Sequence, residues 1–350
     1  MGRKHAIHHF INALVAPLFI VCACLLPIFF IFKFLYTIYL HLWNENMEGK
    51  VVIVTGASSG IGEQLSYEYA KKGARLVIVA RREERLQQVA ETARGLGSPD
   101  VVPICADVSN VNDCKRFVDE TINHFGRLDH LVNNAGIGSI CSVEDADDIK
   151  KFVPVMDVNF WGCVYPTYYA IPYLKKTRGK IIVNSSVTAI LHPPTLAIYS
   201  VRIPFSRIYL GLMISNIQAS KAALLSFYEA LRVELAPAIT ITIATPGFIE
   251  TEITQGKHLS KEGVIQVDRQ LADEIVKLPL MSSQACAKAV LDAVGRGERN
   301  VTEPKWYKAF VLLKGLCPEV VDWYYRTYYF KPFSSEKMNA PIPPSEDKES

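Results

Sequence analysis

Hydrophobic and polar positions fall into three regimes along the chain. From Ala13 to Phe32 twenty consecutive residues are apolar, Pro17 and Pro27 included, behind a basic start at Arg3 and Lys4. A helix of that length, at about 1.5 Å per residue, spans ~30 Å, the thickness of one hydrocarbon core. A signal peptide would end its shorter apolar run at small residues. Here the run continues past Lys33 through Phe34-Leu35-Tyr36 towards Trp43, which predicts an uncleaved signal-anchor. Tyr36, Tyr39 and Trp43 suit an interfacial aromatic belt. Each proline removes a backbone donor and crowds the preceding turn, so the tract is expected either to span with a kink or to dip in and return. The return suits a lipid monolayer.

After Gly49 the period shortens. Val51 to Thr55, Leu76 to Ala80, Val101 to Ala106, Leu128 to Asn133, Lys180 to Asn184 and Thr240 to Thr245 are β-branched runs separated by longer amphipathic stretches. That alternation predicts an α/β fold, a doubly wound parallel sheet of the Rossmann kind. Trp306 to Phe330 is rich in Trp, Tyr and Leu and predicts a helical section, read equally well as a membrane-docking rim or as a core-packed terminal helix. The polar stretch Ser334 to Ser350, with three prolines, predicts a disordered tail. The expected organisation is an anchor over 1–45, a Rossmann domain over 46–300, an aromatic helical section over 301–333 and a tail over 334–350.

Composition narrows the function classes without deciding among them. The 350 residues are 49% hydrophobic and 21% charged with a net charge of +3, which excludes disordered, collagen-like and strongly nucleic-acid-binding chains. The eight cysteines form no CxxC pair, so they read as reduced thiols, with no metal site.

Candidate chemistry begins directly after the first strand. Thr55-Gly56-Ala57-Ser58-Ser59-Gly60-Ile61-Gly62 gives a tight turn and close backbone approach, and the helix it opens favours a pyrophosphate at its N-terminus. Where an acid would take the ribose hydroxyls of NAD, the second strand ends Ala80-Arg81-Arg82. A guanidinium there suits a 2′-phosphate, which favours NADP(H). Asp107-Val108, Asn133-Asn134-Ala135-Gly136 and Ser185-Ser186 follow the third, fourth and fifth strands. All fall at carboxyl ends of parallel strands, where such sheets bind ligands.

This set resembles the short-chain dehydrogenase/reductase family over roughly Gly49 to Ile253. Within it, the proline-containing apolar head, Asp157-Val158-Asn159-Phe160-Trp161-Gly162 and Thr245-Pro246-Gly247-Phe248-Ile249-Glu250 are similar to the plant 11-beta type of hydroxysteroid dehydrogenases, the steroleosins. The resemblance implies that Gly56, Gly60 and Gly62 hold the pyrophosphate, that Ser58 and Arg81 lie near the 2′-phosphate, and that Asp107 approaches the adenine. Asn133, Ala135 and Gly136 would line the sheet behind it, with Ser59, Ile61, Val108, Pro246 and Gly247 completing the cofactor-facing set. By the same resemblance Ser186 polarises the substrate carbonyl, Asn159 holds a water, and Lys221 bonds the nicotinamide ribose and lowers the pKa of a tyrosine four residues earlier. A dimer through the Lys221 helix is common in the family.

The chain departs from that pattern at one point. Four residues before Lys221 stands Ile217, whereas Tyr199 lies thirteen residues after Ser186, the family's interval. Joining Tyr199-Ser200 to Ala219-Ser220-Lys221 would restore Tyr-Ser-Ala-Ser-Lys, so Val201 to Gln218 reads as an eighteen-residue insertion. Valine codons begin GT and glutamine's include CAG, the two ends of an intron, so the segment is read as retained or mispredicted intron sequence. Tyr209 fits neither interval, and Pro204 opposes one continuous helix from Tyr199 to Lys221. The expected activity is an NADP(H)-dependent interconversion of a secondary hydroxyl and a ketone on a hydrophobic, steroid-like substrate. The expected location is an oil-body (lipid-droplet) or endoplasmic-reticulum surface, with the catalytic domain in the cytosol. The alternatives are a catalytically impaired lipid-droplet scaffold or interaction protein, and a reductase of another lipid ketone.

Overall fold

The computed structural model describes residues 2–42, 44–139, 148–191, 215–260, 262–269 and 279–329. Trp43, Tyr199, Tyr209, most of the suspected insertion and the tail from 334 lie outside the described residues. The chain divides into two compact units, Met1–Asn46 with Gly295–Gly297, and Met47–Val294 with Glu298–Ser350.

The first unit is dominated by α1 (Gly2–Leu42), a 41-residue helix that runs through both Pro17 and Pro27. The prolines do not turn the chain back, in contrast to the dip-and-return alternative. Each removes one intrahelical donor, and the bonds on either side carry the helix past it. Its segment Ala13–Leu35 has a mean hydropathy of 2.8 and is the one helix among the described residues long and apolar enough to cross a membrane. Phe19, Phe30 and Phe32 are among its exposed side chains.

In the second unit, β1 (Val51–Thr55), β2 (Arg75–Ala80), β3 (Val101–Cys105), β4 (His130–Asn133), β5 (Lys180–Asn184), β6 (Thr240–Pro246) and β9 (Asn300–Glu303) form one parallel sheet in the order β3-β2-β1-β4-β5-β6-β9. A small antiparallel pair, β7 (Lys257–Leu259) and β8 (Ile265–Val267), stands apart. Alternation along each strand divides the core between the two faces. Val52, Val54, Leu76, Ile78 and Ile182 pack under α2 (Gly60–Lys71), α3 (Glu83–Gly95) and α9 (Ser283–Gly295). Val51, Ile53, Val77, Val79 and Ile181 pack under α4 (Val111–Phe125), α6 (Gly162–Thr177) and α8 (Ser215–Leu235). Burial on both faces explains why these strands read as continuous β-branched runs.

The seventh strand, β9, is absent from the sequence pattern: Asn300-Val301-Thr302-Glu303 carries one aliphatic residue. At the other margin β3 contains Pro103, a residue confined to sheet edges. Ala106 N–H donates to Ala80 O at 3.1 Å, so even-numbered donors of this strand face β2 and position 103 faces the open side. Two arginines reach the same margin, Arg94 donating to Val101 O at 2.6 Å and Arg116 to Cys105 O at 2.9 Å.

Between β1 and β4 the strand order reverses direction, and the crevice outside the carboxyl ends opens there. The short helices α5 (Val153–Met156) and α7 (Thr188–Leu191), with α10 (Tyr307–Leu316) and α11 (Pro318–Tyr329), complete the unit. Tyr307 and Val321 are buried, whereas Leu312, Leu316 and Trp323 are exposed. The aromatic C-terminal section therefore combines packed and exposed apolar faces.

Candidate active site

A cavity of about 860 Å³ occupies the switch-point crevice and runs from the glycine-rich loop to the C-terminal helices. Thr55 organises its floor. The Thr55 hydroxyl donates to Val132 O (3.2 Å) and accepts from the backbone N–H groups of Asn134 (3.0 Å) and Ala135 (3.2 Å). The Asn134 amide donates to Thr55 O at 3.0 Å, so the two strand ends are stitched face to face. Gly56 has φ +67°, and a Cβ there would stand 2.7 Å from Ala135 Cα. A Cβ on Gly62 would run into the Asn134 amide and Gly56 O. Both glycines are therefore required by backbone approach.

Ser59 caps α2 without a side-chain capping bond. A glycine-lined turn, an uncovered helix N-terminus and a cavity of this size fit a dinucleotide, with its pyrophosphate against the α2 amides.

Arg82 ties the glycine-rich loop to the segment beyond β6. Its guanidinium donates to Ser58 Oγ (3.1 and 3.2 Å), Ser59 Oγ (2.7 Å) and Glu252 Oε1 (2.7 Å). Arg81, the residue favoured from sequence, points instead towards Asp107 Oδ2 at 3.5 Å with a half-exposed side chain. Asp107 Oδ1 accepts from the Ser109 N–H (2.9 Å) and hydroxyl (2.7 Å), a turn that carries Val108 into the cavity wall. Burial opposes ionisation of Glu252, yet hydrogen bonds and charge from Arg82 and Lys257 outweigh it and hold the carboxyl at about 2.

Ser186 and Lys221 meet the cavity from opposite sides of β5 and α8. Ser186 Oγ accepts from Thr188 N–H (3.2 Å) and Thr188 Oγ1 (3.0 Å) and stands 3.4 Å from Pro246 O. The buried Lys221 ammonium donates to Asn184 O at 2.7 Å. Burial pushes its pKa down, partly offset by Cys163, whose own thiol is raised to about 11 by burial. Ser185 Oγ donates to Lys221 O at 3.0 Å, tying the β5 end to α8.

Asn159 lies in a π-helical turn, Asp157–Trp161. The widened turn lets its amide accept from Ile137 N (2.8 Å) while donating to Ile137 O (3.1 Å) and Ser220 Oγ (3.0 Å). A Cβ on Gly136 would stand 3.2 Å from Asn159 Oδ1 and 3.5 Å from Lys221 Nζ, so these three residues share one corner.

The residues anticipated from sequence thus converge. Gly56, Ser58, Ser59, Gly60, Ile61, Arg81, Asp107, Val108, Ala135, Gly136, Ser186, Lys221, Pro246 and Gly247 line the cavity. Gly62, Asn133 and Asn159 stand behind its wall, Asn133 bonded to Thr167 (2.8 Å) and Tyr228 (3.0 Å). Tyr199 lies outside the described residues, and α8 already includes Ile217. Sequence reasoning did not single out Arg82 for the serines, nor Asn184, Glu252 or Tyr307. Apolar side chains of α10 and α11, including Phe310, Leu313 and Val321, form the far wall of the cavity.

A family model described as "short chain dehydrogenase" matches residues 50–201. The 11-beta-hydroxysteroid dehydrogenase 1A of Arabidopsis thaliana is 49% identical over 326 residues, covering 92% of this chain and 88% of the relative. The 11-beta-hydroxysteroid dehydrogenase A of Arachis hypogaea is 48% identical over 343 residues, covering 97% and 91%. A short chain dehydrogenase of Burkholderia cenocepacia J2315, solved in complex with NADP, superposes with a TM-score of 0.61 at 26% identity, over 82% of this chain and 100% of that one. A short chain dehydrogenase/reductase of Burkholderia phymatum, solved in complex with NAD, gives a TM-score of 0.63 at 22% identity, over 79% and 96%.

Proposed function

The chain belongs to the short-chain dehydrogenase/reductase family, and from that premise we propose that it is an NADP(H)-dependent oxidoreductase acting on a secondary hydroxyl or ketone of a hydrophobic, steroid-like substrate. The observation that carries this reading is the convergence of Ser186 and Lys221 on the cavity that the glycine-rich loop opens, with Asn159 beside Lys221 behind its wall. Bound NADP(H) would supply or accept the hydride.

The protein's own residues then have separable tasks. Gly56, Gly60 and Gly62 admit the pyrophosphate, and Arg82 with Ser58 and Ser59 receives the 2′-phosphate, Arg81 standing beside it. Ser186 donates to the carbonyl oxygen and polarises it. Tyr199 moves the proton, Lys221 keeps that phenol acidic by its charge, and Asn159 secures the Ile137 turn against Lys221. Lys221 is buried, so its charge acts in a low dielectric, where it shifts a neighbour's pKa most strongly. The apolar wall from α10 and α11 suits a steroid-like body, and α1 would hold the enzyme at the membrane or lipid-droplet surface where such substrates partition.

The segment from Val201 to Gln218 favours a second reading for the full chain, a catalytically impaired protein on an intact scaffold. Two observations support it: the family match ends at residue 201, where the segment begins, and Ile217 occupies the helical position four residues before Lys221. A displacement of about 1 Å at a reacting group costs ~100-fold in rate.

The test is turnover of NADP(H) and NAD(H) by the full chain and by a chain lacking Val201 to Gln218, across hydroxy- and ketosteroids. We expect the shortened chain to turn over and the full chain to be slower by about 100-fold or more. Equal turnover makes the segment a tolerated loop, and silence of both forms removes the steroid reading.

A further inference from the structure

An acid already sits on the arginine that faces the nucleotide loop. Glu252 lies beyond β6, in a segment that forms part of the cavity wall through Thr251, Ile253 and Thr254. Its carboxylate spans Arg82 (2.7 Å) and Lys257 (2.7 Å). The turn that carries it is closed within itself, by Gln255 N–H to Thr251 O at 3.0 Å and Lys257 N–H to Glu252 O at 2.8 Å. Thr251 Cγ2 would stand 3.1 Å from a Cβ on Gly60, so the turn rests on the glycine-rich loop at Gly60, where no side chain intervenes.

The other partners of Arg82 are hydroxyls. Ser58 Oγ and Ser59 Oγ accept from the guanidinium, which leaves each O–H to donate. A guanidinium beside two hydroxyls that each keep a proton to donate makes an anion site, and Glu252 lies on its Nη1 side. A 2′-phosphate arriving there meets a carboxylate of like sign that shares its cation. The free ribose hydroxyls of a cofactor without that phosphate are neutral donors and meet no such penalty.

We propose that Glu252 competes with the 2′-phosphate of the cofactor for Arg82, so that arrival of the phosphate releases the turn from Thr251 to Lys257 from the nucleotide loop. The nucleotide half of the cavity would thereby adjust its substrate half, and Glu252 would set how strongly the enzyme prefers NADP(H). This deepens the cofactor reading above and rests on it.

The experiment titrates the full chain and its Glu252→Gln and Arg82→Ala variants with NADP+ and NAD+ by calorimetry, and follows hydrogen exchange of residues 250–257. Glu252→Gln should tighten NADP+ about two- to fivefold, the worth of one partly exposed ion pair, and leave NAD+ unchanged. In the unaltered chain NADP+, but not NAD+, should speed exchange across 250–257, and in Glu252→Gln that exchange should already be fast without cofactor. An unaltered chain that prefers NADP+, loses the preference in Arg82→Ala and keeps its NADP+ affinity in Glu252→Gln overturns the competition alone. No preference for NADP+ in the unaltered chain and no effect of Arg82→Ala overturn the cofactor reading and the competition with it. Weaker NADP+ binding by Glu252→Gln, with an unchanged melting temperature, would make the acid a support of Arg82 and reverse the proposal.

Discussion

Thr55 shows how much one side chain can hold at a parallel-strand end. Its buried hydroxyl serves three backbone groups, from Val132, Asn134 and Ala135. Thr55→Val keeps the volume and leaves those groups without their partner in a buried place. The expected cost is about 1–3 kcal/mol, read as a lower urea midpoint with an unchanged slope. The motif from Thr55 to Gly62 was legible because Gly56 and Gly62 answer backbone contacts that only a bare Cα permits, and Gly60 sits at φ +60°. The choice between Arg81 and Arg82 was not. Consecutive residues at a strand end point to opposite sides, and which one reaches Ser58 depends on how the chain leaves Ala80, which no spacing encodes. Glu252 was illegible for a related reason, since its partner Arg82 lies 170 positions away.

Elements were legible where burial imposed a period. Six parallel strands announced themselves because both faces of the sheet are covered, whereas β9 adds to the margin with a single aliphatic residue, Val301. The aromatic C-terminal section was legible as helical, and α10 and α11 carry both packed and exposed apolar side chains. The inward member is Tyr307, buried with Val187 and Leu191 and with Phe248 and Val311 packed around them. Its ring also fills the space where a Cβ on Gly247 would be, so α10 docks against the ends of β5 and β6 through one aromatic anchor. Tyr307→Ala should lower stability by about 3–5 kcal/mol, measured by chemical unfolding, and should weaken binding of an apolar substrate by loosening the far wall. The π-helical turn at Asn159 left no trace in periodicity, because one extra residue per turn over five residues is too short a signal to see.

At the scale of the whole molecule, the chain joins an exposed apolar helix to an enzyme-like α/β unit. Removal of residues 2–43 should transfer the protein from the membrane or lipid-droplet fraction to the soluble fraction, checked by flotation and carbonate extraction, while the α/β unit keeps its cooperative thermal transition. Retention in the membrane fraction would assign membrane attachment to the exposed side chains of α10 and α11 instead. Attachment of α1 to a membrane or droplet surface, as proposed above, would have a further consequence at the β3 margin of the sheet. Chains held on one surface meet their own copies at raised effective concentration, and an open strand margin is a template for unwanted pairing into aggregates. Pro103 offers no donor to such a neighbour, and the outward carbonyls of Val101 and Cys105 are already taken by Arg94 and Arg116. Copies crowded on such a surface would thus meet a blunted margin, with one donor missing and two acceptors occupied.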